Sequence, residues 1–528
     1  MKIEQSISIF LCACIALLFL SNIYLLSDNT PFQDDVNYID FIYHFAQKNQ
    51  SLSDYLTRLF MVDNNHMALI PKLGISIQYL LFQDINFKRI LLISAFQLCL
   101  ICTWFVLQFH QTKKPTWMVL PLFLLWFQPQ YYEIANWAMT GIQQSSVILC
   151  SLLALEFIAK PGKKNLFLAI MFAGMAFYSF GSGVLAYVGI GYYLMANKRY
   201  REIPWLFPLP CIQLATYLYM AKLGTIATAS QIHISHAIPF FLNLVGTIAM
   251  VTSTYAAQAA WVIGGIMTLL AIFGLFKINY QSKIAALLII LLANCLLIVS
   301  SRDGLGIYMV SRFATISPLI GMSIYLLYLP VISLRMSRIV IFLSTLFCLF
   351  SYFQYLPFLH QQKYQAVAES ANWTKNQRWL NISDQFQLYA SPSLIPSYQQ
   401  GLWRSENNIL PNENLAQLTT APRVSLQMNE ANSIIHLSQF PLEVGLNKAY
   451  YLIFCKDSAP QKTYFKNIEF LPNSRKNLIF SGQWFLPQGR ISFEKAPLEP
   501  GKYQIYLFEG NSNRYWKTDK TFAPKETI

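Results

Sequence analysis

Two aspartates, Asp34 and Asp35, stand side by side in PFQDDVNYID, just after the apolar run IFLCACIALLFLSNIYLL. Adjacent carboxylates repel one another, so the pair must be well solvated, bound to something positive, or partly protonated. One of the two has an ordinary use as a helix N-cap, whose carboxylate accepts hydrogen bonds from free backbone amides. The other is left unexplained. A second group, Asp63, His66 and Lys72, gathers in VDNNHMALIPKLG, where a histidine is more often merely solvated than functional. Glu133 ends an apolar run in QPQYYEIANW, and a carboxylate at that depth is costly unless it snorkels or is paired. A third group is SSRDGLGIYMVSRFATISPL, residues 300–319, where Arg302 and Arg312 stand at opposite ends of one short outer loop, against the trend that puts cations on the cytoplasmic side. Two guanidinium groups suit a phosphate held at a membrane surface, through paired charge-assisted hydrogen bonds; Asp303 or the acidic first loop could pair with them instead.

The elements that must position these residues are those of a membrane protein. Of 528 residues, 55% are hydrophobic and only 12% charged, too apolar for an ordinary soluble chain. The formal charge of +14 lies between apolar spans rather than on one face, which argues against nucleic acid. Eight of the nine cysteines fall inside apolar runs and Cys455 stands alone, so no disulfide framework is implied. Cys99 and Cys102 have zinc-like spacing but no second ligand pair. Lys2 and the apolar stretch from Ile7 could form a signal peptide, but no small-x-small site follows, so an uncleaved anchor is expected.

Eleven transmembrane helices are expected, near residues 7–27, 88–109, 117–132, 138–159, 165–180, 183–197, 204–221, 254–276, 284–300, 312–330 and 339–357. The shorter apolar stretches 67–82 and 240–251 are assigned to interfacial helices. Alternate loops, HQTKK, KPGKK, NKRYRE, KINYQSK and LRMSR, are basic. Lys and Arg concentrate on the cytoplasmic side, so the N-terminus is expected there, with the Asp34–Asp35 loop and everything after about residue 358 outside. Within that loop, Tyr38, Phe41, Ile42 and Phe45 share a helical face opposite Asn37, Asp40, His44 and Gln47, as in a helix lying flat on the membrane.

Three regions follow: a polytopic α-helical membrane module over 1–358 with its first outer loop at 28–87, a mixed linker region at 359–425, and an outer β-rich domain at 426–528. The runs AYYLIFCKD, NLIFSGQWFL, GRISFEKA and GKYQIYLFEG, bounded by Pro, Gly and Asn, read as strands of a β-sandwich-like extracytoplasmic domain. Trp484 and Trp516 could bind an acceptor there, though core packing is the commoner fate of such rings.

The anchor, the paired acids, the NHMALIPKL-like and SRFATISPL-like stretches and the outer C-terminal domain together resemble the GT-C superfamily of membrane glycosyltransferases. The pattern is similar to the protein O-mannosyltransferases and aminoarabinose transferases over roughly residues 1–358. The resemblance implies a polyprenyl-phosphate-linked sugar as donor, a glycan, lipid or protein acceptor, and an inner-membrane enzyme with its C-terminal domain in the periplasm. Carried over, Asp34 matches the first acid of the family's Asp-Glu or Asp-Asp pair and Asp35 follows it. Either could be the base that takes the acceptor's proton, while Arg302 and Arg312 stabilise the departing lipid phosphate. His66, Lys72 and Glu133 are further substrate-binding candidates, and the adjacent carboxylates could hold a divalent metal ion. Two rivals are an O-antigen polymerase or ligase, which usually carries its large outer segment between late spans, and a lipid-linked-sugar flippase or transporter, which tends to show internal repeats.

Overall fold

The apolar run before the aspartates folds as the 25-residue helix Lys2–Leu26, about 37 Å long at 1.5 Å per residue and sufficient to cross a bilayer. In the computed structural model the described residues are 2–47, 51–62, 66–222, 234–250, 256–302, 310–404, 422–431, 434–459, 462–493 and 496–524. The protein is mostly helical, with a C-terminal β-rich region. Among the described residues six helices are long and apolar enough to cross a membrane: Glu4–Leu26, Phe87–Gln111, Ala138–Ile158, Ala256–Lys277, Lys283–Ser301 and Leu334–Asn376. Several helices of this kind are the signature of a multi-pass membrane protein. The other five expected spans fall on shorter helices: Leu120–Trp126, Lys163–Ser179, Leu185–Ala196, Pro208–Ala221 and Ile316–Tyr328. Three of these begin from 3-10 turns, Thr116–Val119, Gly181–Val184 and Ser311–Thr315, which shorten the α-helical part of each.

Two compact units make up the chain, one of Met1–Leu25, His44–Leu81 and Arg89–Tyr355, the other of Leu26–Tyr43, Phe82–Lys88 and Leu356–Ile528. Helix Ala256–Lys277 illustrates the packing of the first. Ala260, Gly264, Met267, Ala271 and Gly274 face inward, while Val262, Leu269 and Phe276 lie exposed. Small residues inside and bulky ones outside reverse the soluble pattern and suit lipid contact, since small side chains let helix backbones approach closely. A Cβ on Gly246 would stand 2.0 Å from the Ala260 carbonyl oxygen, and one on Gly264 2.0 Å from that of Leu242. The described part of the stretch 240–251, expected to lie at the interface, packs closely on helix Ala256–Lys277. It forms helix Ile234–Gly246 and the turn Thr247–Ala249, with Phe240, Asn243, Leu244, Val245 and Thr247 buried against protein. Helix Leu69–Phe82 does present an apolar side, with Ile77, Leu80, Leu81 and Phe82 exposed and Leu69, Lys72, Ile75 and Ser76 buried.

The second unit contains nine strands among its described residues: β1 (Arg423–Val424), β2 (Gln427–Ala431), β3 (Ile434–Gln439), β4 (Tyr450–Lys456), β5 (Thr463–Asn467), β6 (Glu469–Pro472), β7 (Phe485–Ser492), β8 (Tyr503–Glu509) and β9 (Arg514–Phe522). They form two sheets, ordered β1-β9-β8-β4-β5 and β2-β3-β7-β6, antiparallel except for the β1–β9 pair. Leu426, Ile435, Leu437 and Ile491 from one side and Leu452, Phe454, Ile505 and Leu507 from the other share a core, the arrangement of a sandwich. Trp484 and Trp516 pack against that core. NLIFSGQWFL is not one strand: NLIFS belongs to helix Arg475–Ser481, because Ser474 caps its start and Gly482 its end, and β7 begins only at Phe485.

The last expected span, 339–357, is part of a longer helix, Leu334–Asn376. Beyond Leu356, Tyr364, Val367, Ala368 and Ala371 recur every three or four residues and pack on Tyr451, Ile453 and Cys455, burying the second face of β4. Asn372 donates to the Phe465 carbonyl at 2.8 Å and accepts the Phe465 amide at 2.7 Å; Asn376 donates to the Thr463 carbonyl at 2.7 Å. β5 lies at a sheet edge, so these side chains stand in for a missing neighbour strand. The stretch expected as a mixed linker, 359–425, holds this helix end and helix Asp384–Gln399, while 405–421 lie outside the described residues.

Candidate functional site

The acid pair belongs to the second unit and sits on a buried polar knot. Asp28, Asn29 and Thr30 are all buried. Thr30 donates to Asp28 Oδ1 at 2.7 Å. The Asn29 side chain donates to the Arg404 carbonyl at 2.6 Å and accepts the Phe87 amide at 2.7 Å, and the Trp403 indole donates to the Asn29 carbonyl at 3.0 Å. Trp403 is itself packed among Trp373, Trp379 and Tyr398. A single asparagine thus ties residues 28–30 to two distant segments, with three strong backbone groups satisfied.

From this anchor the chain makes the 3-10 turn Gln33–Asp35 and runs straight into helix Val36–Phe45, whose Tyr38, Ile39, Phe41 and Ile42 are buried. The two carboxylates differ. Asp35 is 1% exposed, donates its amide to the Phe32 carbonyl at 3.1 Å, and accepts the Phe32 amide on Oδ2 at 3.0 Å. Asp34 is partly exposed. The expected cap is therefore supplied by Asp35, which closes the turn backward onto residue 32. Gln33 takes φ 46°, a left-handed conformation costing about 1–2 kcal/mol for a residue with a Cβ. That strain sets the tightness of the turn presenting Asp34.

Lys363 of the same unit interacts with Asp28 of this segment. Burial pushes the Lys363 ammonium below its ordinary pKa; the Asp28 carboxylate draws it up and Lys88 draws it down. His360, one turn earlier on the same helix, is lowered to about 4, by burial first and the Lys363 charge second, against a backbone hydrogen bond with Leu446. Asp28, Lys88, His360 and Lys363 were not singled out from the sequence. The available signal was the spacing of His360, Lys363 and Tyr364 in HQQKY, directly after the last apolar run.

In the first unit the sequence candidates Glu133 and Arg312 meet. Arg312 Nη1 lies 3.2 Å from Glu133 Oε2, and the Arg312 amide donates to the same oxygen at 3.1 Å. The guanidinium lies 5.3 Å from the Trp137 ring and 5.5 Å from that of Phe313. Ser311 donates to the Gln130 carbonyl at 2.8 Å and accepts the Glu133 amide at 3.2 Å. Gln130 in turn donates to the Thr247 carbonyl at 2.6 Å, and the Gln128 side chain accepts both the Gln130 amide and the Ser351 hydroxyl. QPQYYE is thus the knot joining residues 247, 311–312 and 351. Neither Asp303 nor the acid pair is needed to explain Arg312, because Glu133 supplies the carboxylate.

Lys72 is 2% exposed, and its ammonium donates to the carbonyls of Arg58 at 3.0 Å and Met61 at 3.2 Å. It thereby closes the C-terminal end of helix Leu52–Phe60, where a cation also complements the helix dipole. This gives the ammonium a structural use. The His66 ring lies against Phe180, with centroids 3.9 Å apart. Arg302 ends helix Lys283–Arg302; its side chain, like Asp63 and Asp303, lies outside the described residues. Among the described residues no three His, Cys, Asp or Glu side chains form a group that could hold a metal ion.

No family model, curated protein or solved structure matches the chain.

Proposed function

We propose that this protein is a glycosyltransferase that moves a sugar from a polyprenyl-phosphate-linked donor to a glycan, lipid or protein acceptor on the outer face of the inner membrane. The observation that carries it is the unequal pair after the first apolar helix: Asp35 buried and committed to Phe32, Asp34 beside it and partly exposed. Asp34 is the base. It takes the acceptor hydroxyl's proton as that oxygen bonds to the anomeric carbon, and the bond from that carbon to the lipid phosphate oxygen breaks with its electrons on the phosphate. The resemblance to the glycosyltransferases makes Arg302 and Arg312 the candidates for stabilising that phosphate.

In this reading the six long apolar helices and the five shorter ones make eleven crossings, with the N-terminus cytoplasmic and the β-rich domain periplasmic. The basic loops support that orientation. The test is direct: purified full-length protein is offered polyprenyl-phosphate sugars and scored for free polyprenyl phosphate. Full activity after replacing both Asp34 and Asp35 by Asn overturns the proposal. So does accumulation of the lipid-linked sugar across sealed vesicles with its glycosidic bond unchanged.

A further inference from the structure

We propose that helix Arg475–Ser481 is a membrane-docking finger, which lays Ile479 and Phe480 among lipid chains and sets Lys476 against anionic headgroups. The segment joins β6 to β7 and is built to stand out. Asn473 donates its amide to the Trp484 carbonyl at 2.8 Å, closing the neck. Ser474 accepts the Asn477 amide at 3.2 Å as N-cap, and Asn473 Oδ1 accepts the Ser474 amide at 2.8 Å and the Asn477 side chain at 3.0 Å. Gly482, at φ 67°, ends the helix and donates to the Leu478 carbonyl at 3.0 Å.

This framing buries none of the seven helical residues. Ile479 is 62% exposed and Phe480 83%, above even the Phe276 value of 76% on a helix apolar enough to cross a membrane. Folding a hairpin around a phenylalanine and then leaving it outside gains nothing within the chain. The charge points the same way: Lys476 is exposed in the helix's first turn, where the dipole disfavours a cation. Exposed apolar residues beside an exposed cation match the boundary of a bilayer containing anionic lipid. The proposal is independent of any transfer chemistry.

The experiment uses the full chain in nanodiscs of phosphatidylcholine and phosphatidylglycerol, with an environment-sensitive fluorescent amino acid at position 480 or, as control, at exposed Ser512. Bromine-labelled lipids are the quencher. Several-fold stronger quenching at 480 than at 512 is expected, falling at least twofold with Lys476→Glu or in phosphatidylcholine alone. Equal quenching at the two positions overturns the proposal. Shielding of position 480 that ignores lipid bromine and grows with protein concentration also overturns it, in favour of a second copy of the chain. Phe480→Ser should leave the unfolding midpoint unchanged; a large loss shows that the ring packs within the protein and equally overturns the assignment.

Discussion

Neutralising each aspartate of the pair separately should split stability from catalysis. Asp35 is 1% exposed and its carboxylate satisfies the Phe32 amide at 3.0 Å. Asp35→Ala leaves that amide without its acceptor in a partly buried turn, costing about 1–3 kcal/mol. Asp35→Asn keeps an oxygen in place and loses only the charge assistance, about 1 kcal/mol. Asp34 is partly exposed, and Asn keeps its size and one acceptor oxygen, so Asp34→Asn should change stability less than Asp35→Ala does. If Asp34 is the base, the same substitution lowers transfer by about 10²–10⁴-fold, equivalent to about 2.7–5.5 kcal/mol of barrier. The assay pairs release of free polyprenyl phosphate with the unfolding midpoint of the same purified full-length sample. Asp35 variants should melt lower while retaining transfer in proportion to folded protein; Asp34→Asn should melt normally and fail to transfer. Transfer by Asp34→Asn within threefold of the parent refutes the assignment. Loss confined to Asp35→Asn at an unchanged midpoint inverts it.

Three further outcomes follow from the geometry. Asn372→Ala should lower stability by about 2–4 kcal/mol, because one buried amide and one carbonyl of edge strand β5 lose their partners together, whereas Asn376→Ala should cost about 1 kcal/mol; amide exchange at Phe465 reads the difference. Glu133→Gln should leave the Arg312 guanidinium without its carboxylate, costing about 1–3 kcal/mol by thermal unfolding, and Arg312→Lys should not recover the stacking on Trp137. Because the folded pKa of His360 is lowered to about 4 from 6.5, the unfolded chain binds this proton first as pH falls. Stability is then full above about pH 6.5 and lost toward pH 4, by at most on the order of 3 kcal/mol, and His360→Gln should flatten that slope in unfolding scans across the window.

Apolar runs made the six long helices legible, because a helix that crosses a bilayer needs about twenty mostly apolar residues in succession. The lengths of the shorter apolar helices were not legible, because a 3-10 turn or Gly162 decides where the α-helix starts. Strands β4 and β8 were legible from their β-branched and aromatic runs. NLIFS was misread, since its two caps, Ser474 and Gly482, outweigh the strand preference of Ile479 and Phe480. The end of helix Leu334–Asn376 was missed for a related reason. Its apolar stripe is completed by a sheet more than seventy residues away, and Asn372 looks merely polar until β5 is placed beside it.

By itself the sequence determined which residues were chemically expensive: adjacent carboxylates, a glutamate at the end of an apolar run, arginines against the charge trend. Their partners were decided only by tertiary structure. Glu133 and Arg312 are separated by 179 positions, and no periodicity relates them. Asp34 and Asp35 are equivalent as letters, yet one turn of backbone buries the second against Phe32 and leaves the first accessible. The physical reason is the same in each case. Composition fixes the cost of burying a charge, whereas the group that offsets the cost is chosen by the fold.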